Sequence, residues 1–546
     1  MIRMLICTLL LGGALAAPAQ LSKGHLILIK RGLQVQGMVT RDDVFHLQTY
    51  TNAGYTAIHW LWASSPSQMG TAPGFPWSRW VSSESDMPPV GSEGPYMPQL
   101  VTLQLGDEWN LNDAALRTRA VNWFNAIRSN FPNTVVYMNN FGGQVGDSQL
   151  ADFWTRARPD MLCFDAYPWK SDYTTRVPRS GPPTSWYGDL RRYREHARDA
   201  GIPLGTYMQT FHAVQDYDQT VYRDPSPSEL RLNHFGALAF NSKVLIDFTY
   251  NTGASSLFTT PGGDSNPTPL LAEKTDISRR ARNFGKALVR LVPIADATRQ
   301  YTTSMMFLRG RGSGGSINPL PIGFIADPQA PNDYSDWVAD RNDPYLRGWA
   351  VTNKPAIKNG GLRGDVIISW LKPLDESFDG PTYSNQVYFM VVNGLTDPTG
   401  SAADCLQDIG LLFALPAGIT SVDILNPTTG QVQTQTIPLV AVGRRQLMLN
   451  LNGGDAALFK ISVGAPFVGF LPPAAARLNL QNQTNAAAIR IQGTPAATYQ
   501  LQRAAAIPTN NWLLVTNVQL PASTHVVLDP KPANVTRRFY RAVALP

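Results

Sequence analysis

Two adjacent carboxylates, Asp107 and Glu108, close the short apolar run Val101-Thr-Leu-Gln-Leu-Gly-Asp-Glu-Trp109. The run is too short for a stable helix and stops in turn chemistry at Gly106, so Val101 to Leu105 reads as a strand. With Glu108 pointing inward, the period of two puts Thr102, Gln104 and Gly106 on the inner face and Val101, Leu103 and Leu105 on the outer one. In an α/β barrel the ends of strands carry the chemistry, which makes Glu108 and Asp107 candidate acid–base residues. The competing use is structural, with Asp107 capping the next helix beside a solvated Glu108.

The elements that must position these acids follow from the pattern between about residues 22 and 295, where strand-like runs alternate with helical ones. Eight strands are predicted: His25 to Ile29, Leu33 to Val39, Tyr55 to Trp62, Leu100 to Leu105, Thr134 to Asn139, Met161 to Asp165, Pro203 to Gln209 and Val244 to Tyr250. Asp113 to Asn130 is amphipathic, with Leu116, Ala120, Phe124 and Ile127 on one side. Asp276 to Leu291 repeats the design, and Pro293 stops it. This is the signature of a TIM (β/α)8 barrel. Lining up the strand ends places Asn139, Asp165, Tyr167, Gln209 and Tyr250 around the mouth opposite Glu108. An inward Asp165 shares its side with Cys163 and Met161 and sends Leu162 and Phe164 outward. The structural alternatives are Asp165 capping the turn at Pro168 and Gln209 as a buried amide.

Aromatic residues cluster in the same region, with nine of the 13 Trp before residue 190. Trp60, Trp62, Trp77, Trp80, Trp109, Trp169 and Trp186 fall at predicted strand ends or in the Pro/Gly-rich loops after them, where flat apolar faces suit the C–H faces of sugar rings. Core packing is the competing use of each ring. Acids, amides and phenols between Trp walls make a hydroxyl-reading pocket for a carbohydrate. No Gly-rich phosphate loop, Gly-x-Ser-x-Gly elbow or His-Glu-x-x-His helix is present. The seven His are scattered without metal-ligand spacing, so neither a metal nor another cofactor is implied.

The Gly-Asp-Glu closing one strand, the later Phe164-Asp-Ala-Tyr-Pro168 and the late Asp247-Phe-Thr-Tyr-Asn251 resemble bacterial glycoside hydrolase barrels of the glycosidase superfamily. The resemblance covers the barrel and, more loosely, the β domain after it. It implies that Glu108, on the fourth strand, donates a proton to the leaving oxygen. Two positions depart from the commonest pattern: Trp109 stands in place of Pro, and the seventh strand ends near Gln209 where a nucleophilic Glu is expected. Asp165 is then the first choice for the second carboxylate and Asp107 the second choice. In an inverting scheme Asp165 activates water while burial against aromatics such as Trp109 keeps Glu108 protonated. Adjacent Asp-Glu pairs also resemble those of hexosaminidase barrels, where the Asp orients a substrate acetamido group as nucleophile. That scheme requires a twist or bulge at Gly106.

The chain opens with a lone basic residue and an apolar core that ends in Ala17-Pro-Ala19, the form of a secretory signal over residues 1–19, so the protein is expected to be secreted or periplasmic. No later stretch is long and apolar enough to span a bilayer. A formal charge of +6 without Lys or Arg runs argues against a nucleic-acid partner. Cys163 and Cys405 are far apart and suggest no disulfide framework. The expected order is the barrel over 20–300, an irregular connection or lid over 301–384, an antiparallel β-sandwich over 385–465, a linker over 466–476 and an immunoglobulin- or fibronectin-like β module over 477–546. Asp375 and Asp379 in the connection are further acids. Oligomeric state leaves no signal. The expected activity is hydrolysis of O-glycosidic bonds in a poly- or oligosaccharide; the alternative is a glycan-binding protein without turnover.

Overall fold

The computed structural model describes residues 21–41, 43–61, 66–171, 184–215, 219–259, 263–294, 305–308, 345–374, 386–461, 466–470, 476–483, 485–493, 498–507, 511–520, 524–530 and 537–544. Strands β1 (Gln34–Val39), β2 (Ala57–Trp60), β3 (Trp77–Val81), β4 (Leu100–Asp107), β5 (Val135–Phe141), β6 (Leu162–Asp165) and β7 (Leu204–Gln209) are followed by a short hairpin of β8 (Ala213–Val214) and β9 (Val221–Tyr222) and then by β10 (Ser242–Phe248). All but the hairpin pair in parallel into a closed eight-stranded barrel, in which β10 returns to β1. Helices α1 (Lys23–Arg31), α2 (Leu47–Asn52), α3 (Pro66–Thr71), α4 (Ala114–Ile127), α5 (Asp147–Ala157), α6 (Thr184–Asp199), α7 (Pro227–Ala239) and α8 (Pro269–Leu288) accompany it.

Two local expectations are corrected. His25 to Ile29 lies in α1, whose first turn Ser22 caps by accepting from the His25 amide and which ends at Gly32. A five-residue apolar run fits either period, and the cap decides it. Helix α1 closes the bottom of the barrel: Ile27 and Leu28 join Val135, Met161, Cys163 and Ile246 in the interior cluster, and Lys23 pairs with Asp160 at 2.7 Å. The missing strand is β3, hidden between Pro76 and the turns that follow. Its buried Arg79 faces outward and holds that connection through Glu93 and Asp86, each at 2.5 Å.

Alternation sorts the barrel residues as the pleat requires. Met161 and Cys163 fill the interior, while Leu162 and Phe164 pack outward, Phe164 stacking on Tyr193 of α6 at 4.5 Å. Asp113, not Asp107, caps α4 by accepting from Ala115 and Leu116 amides.

The β-sandwich starts earlier than the sequence pattern suggests. Strands β11 (Leu291–Pro293), β12 (Met305–Leu308), β13 (Leu346–Asn353) and β14 (Val366–Pro373) belong to it, so part of the expected connection is sheet. They join β15 (Val387–Asn393), β16 (Gln407–Phe413), β17 (Ser421–Leu425), β18 (Val432–Thr436), β19 (Leu439–Ala441), β20 (Arg444–Leu451) and β21 (Ala456–Ile461). One sheet runs β11-β14-β15-β21-β17-β18 and the other β13-β16-β20-β19. The first presents Ile367, Tyr388, Met390 and Leu458 to the barrel's own core and Trp370, Phe389 and Phe459 to the second sheet. Helix α7 is buried on every side between barrel and sheet. Arg231 ties the three layers together, reaching Asp276 of α8 at 2.8 Å and Asp455 of the sandwich at 2.6 Å. Gly454, at φ 76°, lets the chain approach so closely that a Cβ would lie 2.4 Å from the Ser228 carbonyl.

The C-terminal module contains β22 (Arg477–Asn482), β23 (Ala486–Gln492), β24 (Thr498–Ala504), β25 (Leu513–Gln519), β26 (Thr524–Pro530) and β27 (Phe539–Ala544). They form sheets β22-β23-β26 and β25-β24-β27. No helix among the described residues is long and apolar enough to cross a membrane. Residues 1–20, Asp375 and Asp379 lie outside the described residues.

On the outer side of β10, Asp247 accepts from Tyr55 Oη at 2.5 Å, is hydrogen-bonded to His234 Nε2 at 2.9 Å and lies 3.1 Å from Lys274 Nζ, all out of solvent. Burial pushes the Asp247 pKa up, but Lys274 and His234 outweigh it and leave it below the ordinary carboxylate value. Asp247 therefore stabilises the fold fully above the unfolded-state pKa, and this contribution fades as pH falls through the depressed one. Lys274→Met strands the buried carboxylate and is expected to cost about 3–5 kcal/mol in urea unfolding followed by Trp fluorescence. Adding Asp247→Asn should recover much of that loss; a cost below about 1 kcal/mol for the single variant would show that the pair is not held as described.

Candidate active site

Strand β4 reaches the mouth with one residue too many. It runs from Gln104 to Asp107 where β5 runs only from Tyr137 to Asn139, which is a bulge. Gly106 at φ 63° and Glu108 at φ 48° take up the extra length, and the Glu108 amide donates to the Asn139 carbonyl at 3.0 Å. A Cβ at Gly106 would lie 2.9 Å from the Trp109 indole nitrogen, so the position demands glycine for space as well as for conformation. As a result Asp107 and Glu108, neighbours in sequence, both line one cavity of about 290 Å³ together with Asp165 and Asn139.

The three acids form one network. Asn139 Nδ2 donates to Asp107 Oδ1 at 3.0 Å and to Asp165 Oδ1 at 2.7 Å. Gln104 Nε2 donates to Asp107 Oδ1 at 2.9 Å. Glu108 and Asp165 are in direct carboxyl-to-carboxyl hydrogen-bond contact. Asp107 and Glu108 open onto the mouth, whereas Asp165 is 5 % exposed. Burial, then the Glu108 and Asp107 charges, hold the Asp165 pKa well above the ordinary value. Desolvation by the surrounding walls and then the Asp107 charge raise Glu108 as well, against the opposing hydrogen bond from Asp165. Asp107 is raised by desolvation and held back by Asn139 and Gln104. Two touching carboxyl groups share a proton between them, and burial with the neighbouring charge raises both above the ordinary carboxylate value.

Around the acids stand Trp80, Tyr167, Tyr207, Phe211, Tyr222 and Phe248. Tyr167 meets Phe211 edge-on at 4.9 Å. The floor is Gln104, whose Oε1 accepts from Tyr137 Oη at 3.1 Å and from Tyr207 Oη. Among the described residues no group of three or more His, Cys, Asp or Glu is arranged to hold a metal ion.

Of the residues expected at the site, Asp107, Glu108, Asn139, Asp165 and Tyr167 meet at the cavity; five others do not reach it. Trp60 is buried against Phe45 at 5.6 Å in the layer between barrel and helices. Trp109 turns outward too, 5.6 Å from Trp123 of α4 and beneath Arg119, so it does not desolvate Glu108. Trp169 is buried in the same layer. Gln209 is the buried amide of the structural alternative, exchanging hydrogen bonds with the Trp169 backbone at 2.8 and 3.1 Å and donating to the Arg223 carbonyl at 3.0 Å. Tyr250 stands among Tyr50, Tyr55 and Phe258 with its hydroxyl on Asp264. Trp62 lies outside the described residues. Trp80, one of the clustered aromatics of the sequence, does line the cavity, while Trp77 and Trp186 are buried in the outer layer. Sequence reasoning missed Tyr207, Phe211, Gln215, Tyr222 and Phe248. Tyr207 was within its reach, because it shares strand parity with Gln209; the hairpin residues carried no periodic signal.

No family model and no curated protein matches this chain. Among solved structures it is similar to a glycosyl hydrolase family 2 member from Bacteroides cellulosilyticus DSM 14838, at 9% identity and a TM-score of 0.30, over 94% of this chain and 60% of that one. A putative alpha-galactosidase from Bacteroides fragilis NCTC 9343 is 9% identical at a TM-score of 0.36, covering 80% of each chain. Alpha-galactosidase I from Mortierella vinacea is 9% identical at a TM-score of 0.37, over 79% of this chain and 97% of its own. The chain thus spans less than two thirds of the first of these, and similarity at this level says nothing about activity.

Because the Asp107 charge helps hold Glu108 up, Asp107→Asn should lower the Glu108 pKa. Carboxyl carbon-13 NMR titration of Glu-labelled protein measures this, and an unchanged or higher Glu108 pKa would remove Asp107 from the network.

Proposed function

We propose that this protein is a glycoside hydrolase in which Glu108 protonates the leaving glycosidic oxygen. The supporting observation is the convergence of Asp107, Glu108 and Asp165 in one aromatic-walled cavity at the mouth of an α/β barrel. A glycosidic oxygen departs with its bonding electron pair once it is protonated, and an acid with a raised pKa at the rim is suited to supply that proton. Phenol and indole faces stack on sugar C–H faces, while the carboxylates at the mouth read hydroxyls.

The geometry argues against Asp165 as the acid that activates water across the sugar. Glycosidase pairs stand about 5–5.5 Å apart when retaining and about 6.5–9.5 Å apart when inverting, with sugar or water between. Glu108 and Asp165 touch. Asp165 therefore serves as the neighbour that shares a proton with Glu108. The β4 bulge meets the condition for the substrate-assisted route, since it turns Asp107 into the same cavity as Glu108. On that route Asp107 orients a 2-acetamido group whose carbonyl oxygen attacks the anomeric carbon as Glu108 gives its proton to the departing oxygen. Water then opens the cyclic intermediate, and the Glu108 carboxylate takes back a proton. The proposal includes export, on the strength of the leader pattern in residues 1–19.

A glycan-binding protein without turnover is the competing reading, favoured by Gln209 at the end of β7, where it is locked into backbone hydrogen bonds. Glu108→Gln separates the two. If the protein is an enzyme, the variant should lose at least about three orders of magnitude in kcat on glycosides of 2-acetamido sugars and keep sugar affinity within about threefold. An unmodified protein that turns over nothing in a broad glycoside panel yet binds sugars would establish the competing reading.

A further inference from the structure

We infer that the cavity accepts a single pyranose ring at the end of a chain, so that the protein removes terminal sugars and does not cut within a polymer. This deepens the hydrolase reading and rests on it.

The cavity is blind. Beneath Gln104 the barrel is filled by Tyr137, Val135, Cys163, Met161 and Ile246, and α1 closes the far end. Nothing can thread downward. Sideways, the hairpin between β7 and α7 supplies Phe211, Ala213, Gln215 and Tyr222 as a wall, while Leu61 and Trp80 after β2 and within β3 form another.

The hairpin wall is built on anchored chain. Its two strands pair Ala213 with Tyr222 and Val214 with Val221, and the Gln215 amide donates to the Thr220 carbonyl at 2.9 Å. Tyr222 also bridges to Lys170 in the loop after β6. The next residue, Arg223, donates its amide to the Trp169 carbonyl at 3.1 Å and grips Glu229 of α7 with both guanidinium nitrogens at 2.6 Å. Glu229 is itself fixed in the capping box of α7. A groove for a polymer needs both ends clear across the mouth, and this wall stands at one of them.

Size and charge agree. A volume of about 290 Å³ lies just under the roughly 300–1,000 Å³ of pockets that hold drug-sized ligands, which leaves room for one ring with its substituents. Glu108 sits at the open rim and Asp165 at depth, so the acid lies where the bond from an enclosed ring to the remaining chain would emerge. Three carboxyl groups sharing the cavity make an uncharged ring the fitting occupant, since a ring with its own carboxylate or sulfate would meet like charge.

The test uses the full chain with 4-nitrophenyl monoglycosides of the common sugars and with oligosaccharides of three to six rings, whose products are resolved by mass from the earliest time points. Release of single rings only, with no cleavage when the non-reducing terminal ring is capped as a 4,6-ketal, is the expected result. Early release of fragments of two or more rings overturns the inference while leaving the hydrolase reading intact. If nothing is cleaved, the hydrolase reading fails, and calorimetry with the same sugars then decides the shape of the site. A monosaccharide that binds within about threefold of its trimer and hexamer supports a one-ring pocket. Affinity that climbs tenfold or more from one ring to six overturns it, as does the absence of binding to any of them.

Discussion

The site depends on one irregularity, the extra residue that β4 carries where it meets the barrel rim. In a regular strand consecutive side chains point to opposite faces, so Asp107 and Glu108 could not share a cavity. Gly106 and Glu108 both take positive φ to bring them together, and for a non-glycine residue that conformation costs about 1–2 kcal/mol. The hydrogen bond from the Glu108 amide to Asn139 holds the turn on one side, and the Trp109 indole packed over Gly106 holds it on the other. Trp109 is thus valuable to the site without touching it. It belongs to the packed layer around α4, where Trp123 and Arg119 fix its ring.

Two buried aspartates on barrel strands show how orientation decides chemistry. Asp247 faces the helices, meets Lys274 and His234, and stays ionised below its ordinary range despite complete burial. Asp165 faces the interior, meets Glu108 and Asp107, and is driven the other way. Asn139 mediates between the inward acids by giving both of its N–H groups to them, which leaves its Oδ1 buried without a partner. Turning that amide over would place an oxygen against two carboxylates, so the charge pattern itself fixes its orientation. One residue type therefore yields a structural anion on the outer face and a proton reservoir on the inner one.

Much of this was legible in the sequence, for a reason that also marks the limit. The pleat has a strict period, so an inward Asp165 implied Cys163 inside and Phe164 outside, and Gln104 does face inward with Leu103 and Leu105 outward. The bulge breaks that parity before Glu108, which enters the cavity by the irregular turn. The need for a bulge at Gly106 could be stated in advance as a condition. Period says nothing about residues beyond the last paired position, however. Trp109 and Trp169 were read as sugar platforms because of where they fall in sequence, yet the same positions can turn into the layer beneath the helices, which has more apolar surface to fill. Trp60 is still paired at the end of β2 and faces that layer by its parity. Strand β3 escaped notice because Trp77-Ser-Arg-Trp-Val81 holds a buried Arg79, whose partners Asp86 and Glu93 come from the following turns. The β13 strand was obscured by the Gly- and Pro-rich sequence before it, whereas the run Asp365 to Trp370 already reads as a strand piece and is β14.

Gln209 shows how the two halves of the barrel divide the work. At the end of β7, where the resembling barrels place a carboxylate, this chain has an amide that binds the Trp169 and Arg223 backbones and so joins the loop after β6 to the foot of the hairpin. A carboxylate there could accept one of these contacts but could not donate to the two carbonyls, and burying its charge among them would be costly. The position is therefore committed to holding a wall. The acids gather on β4 and β6 with the Asn139 amide of β5 between them, and β7 with its hairpin supplies shape. Among the described residues the carboxyl groups lining the cavity are Asp107, Glu108 and Asp165. On the proposed route the second reacting group comes from the sugar, and the bulge that admits Asp107 to the cavity then matters more than the position β7 leaves to Gln209.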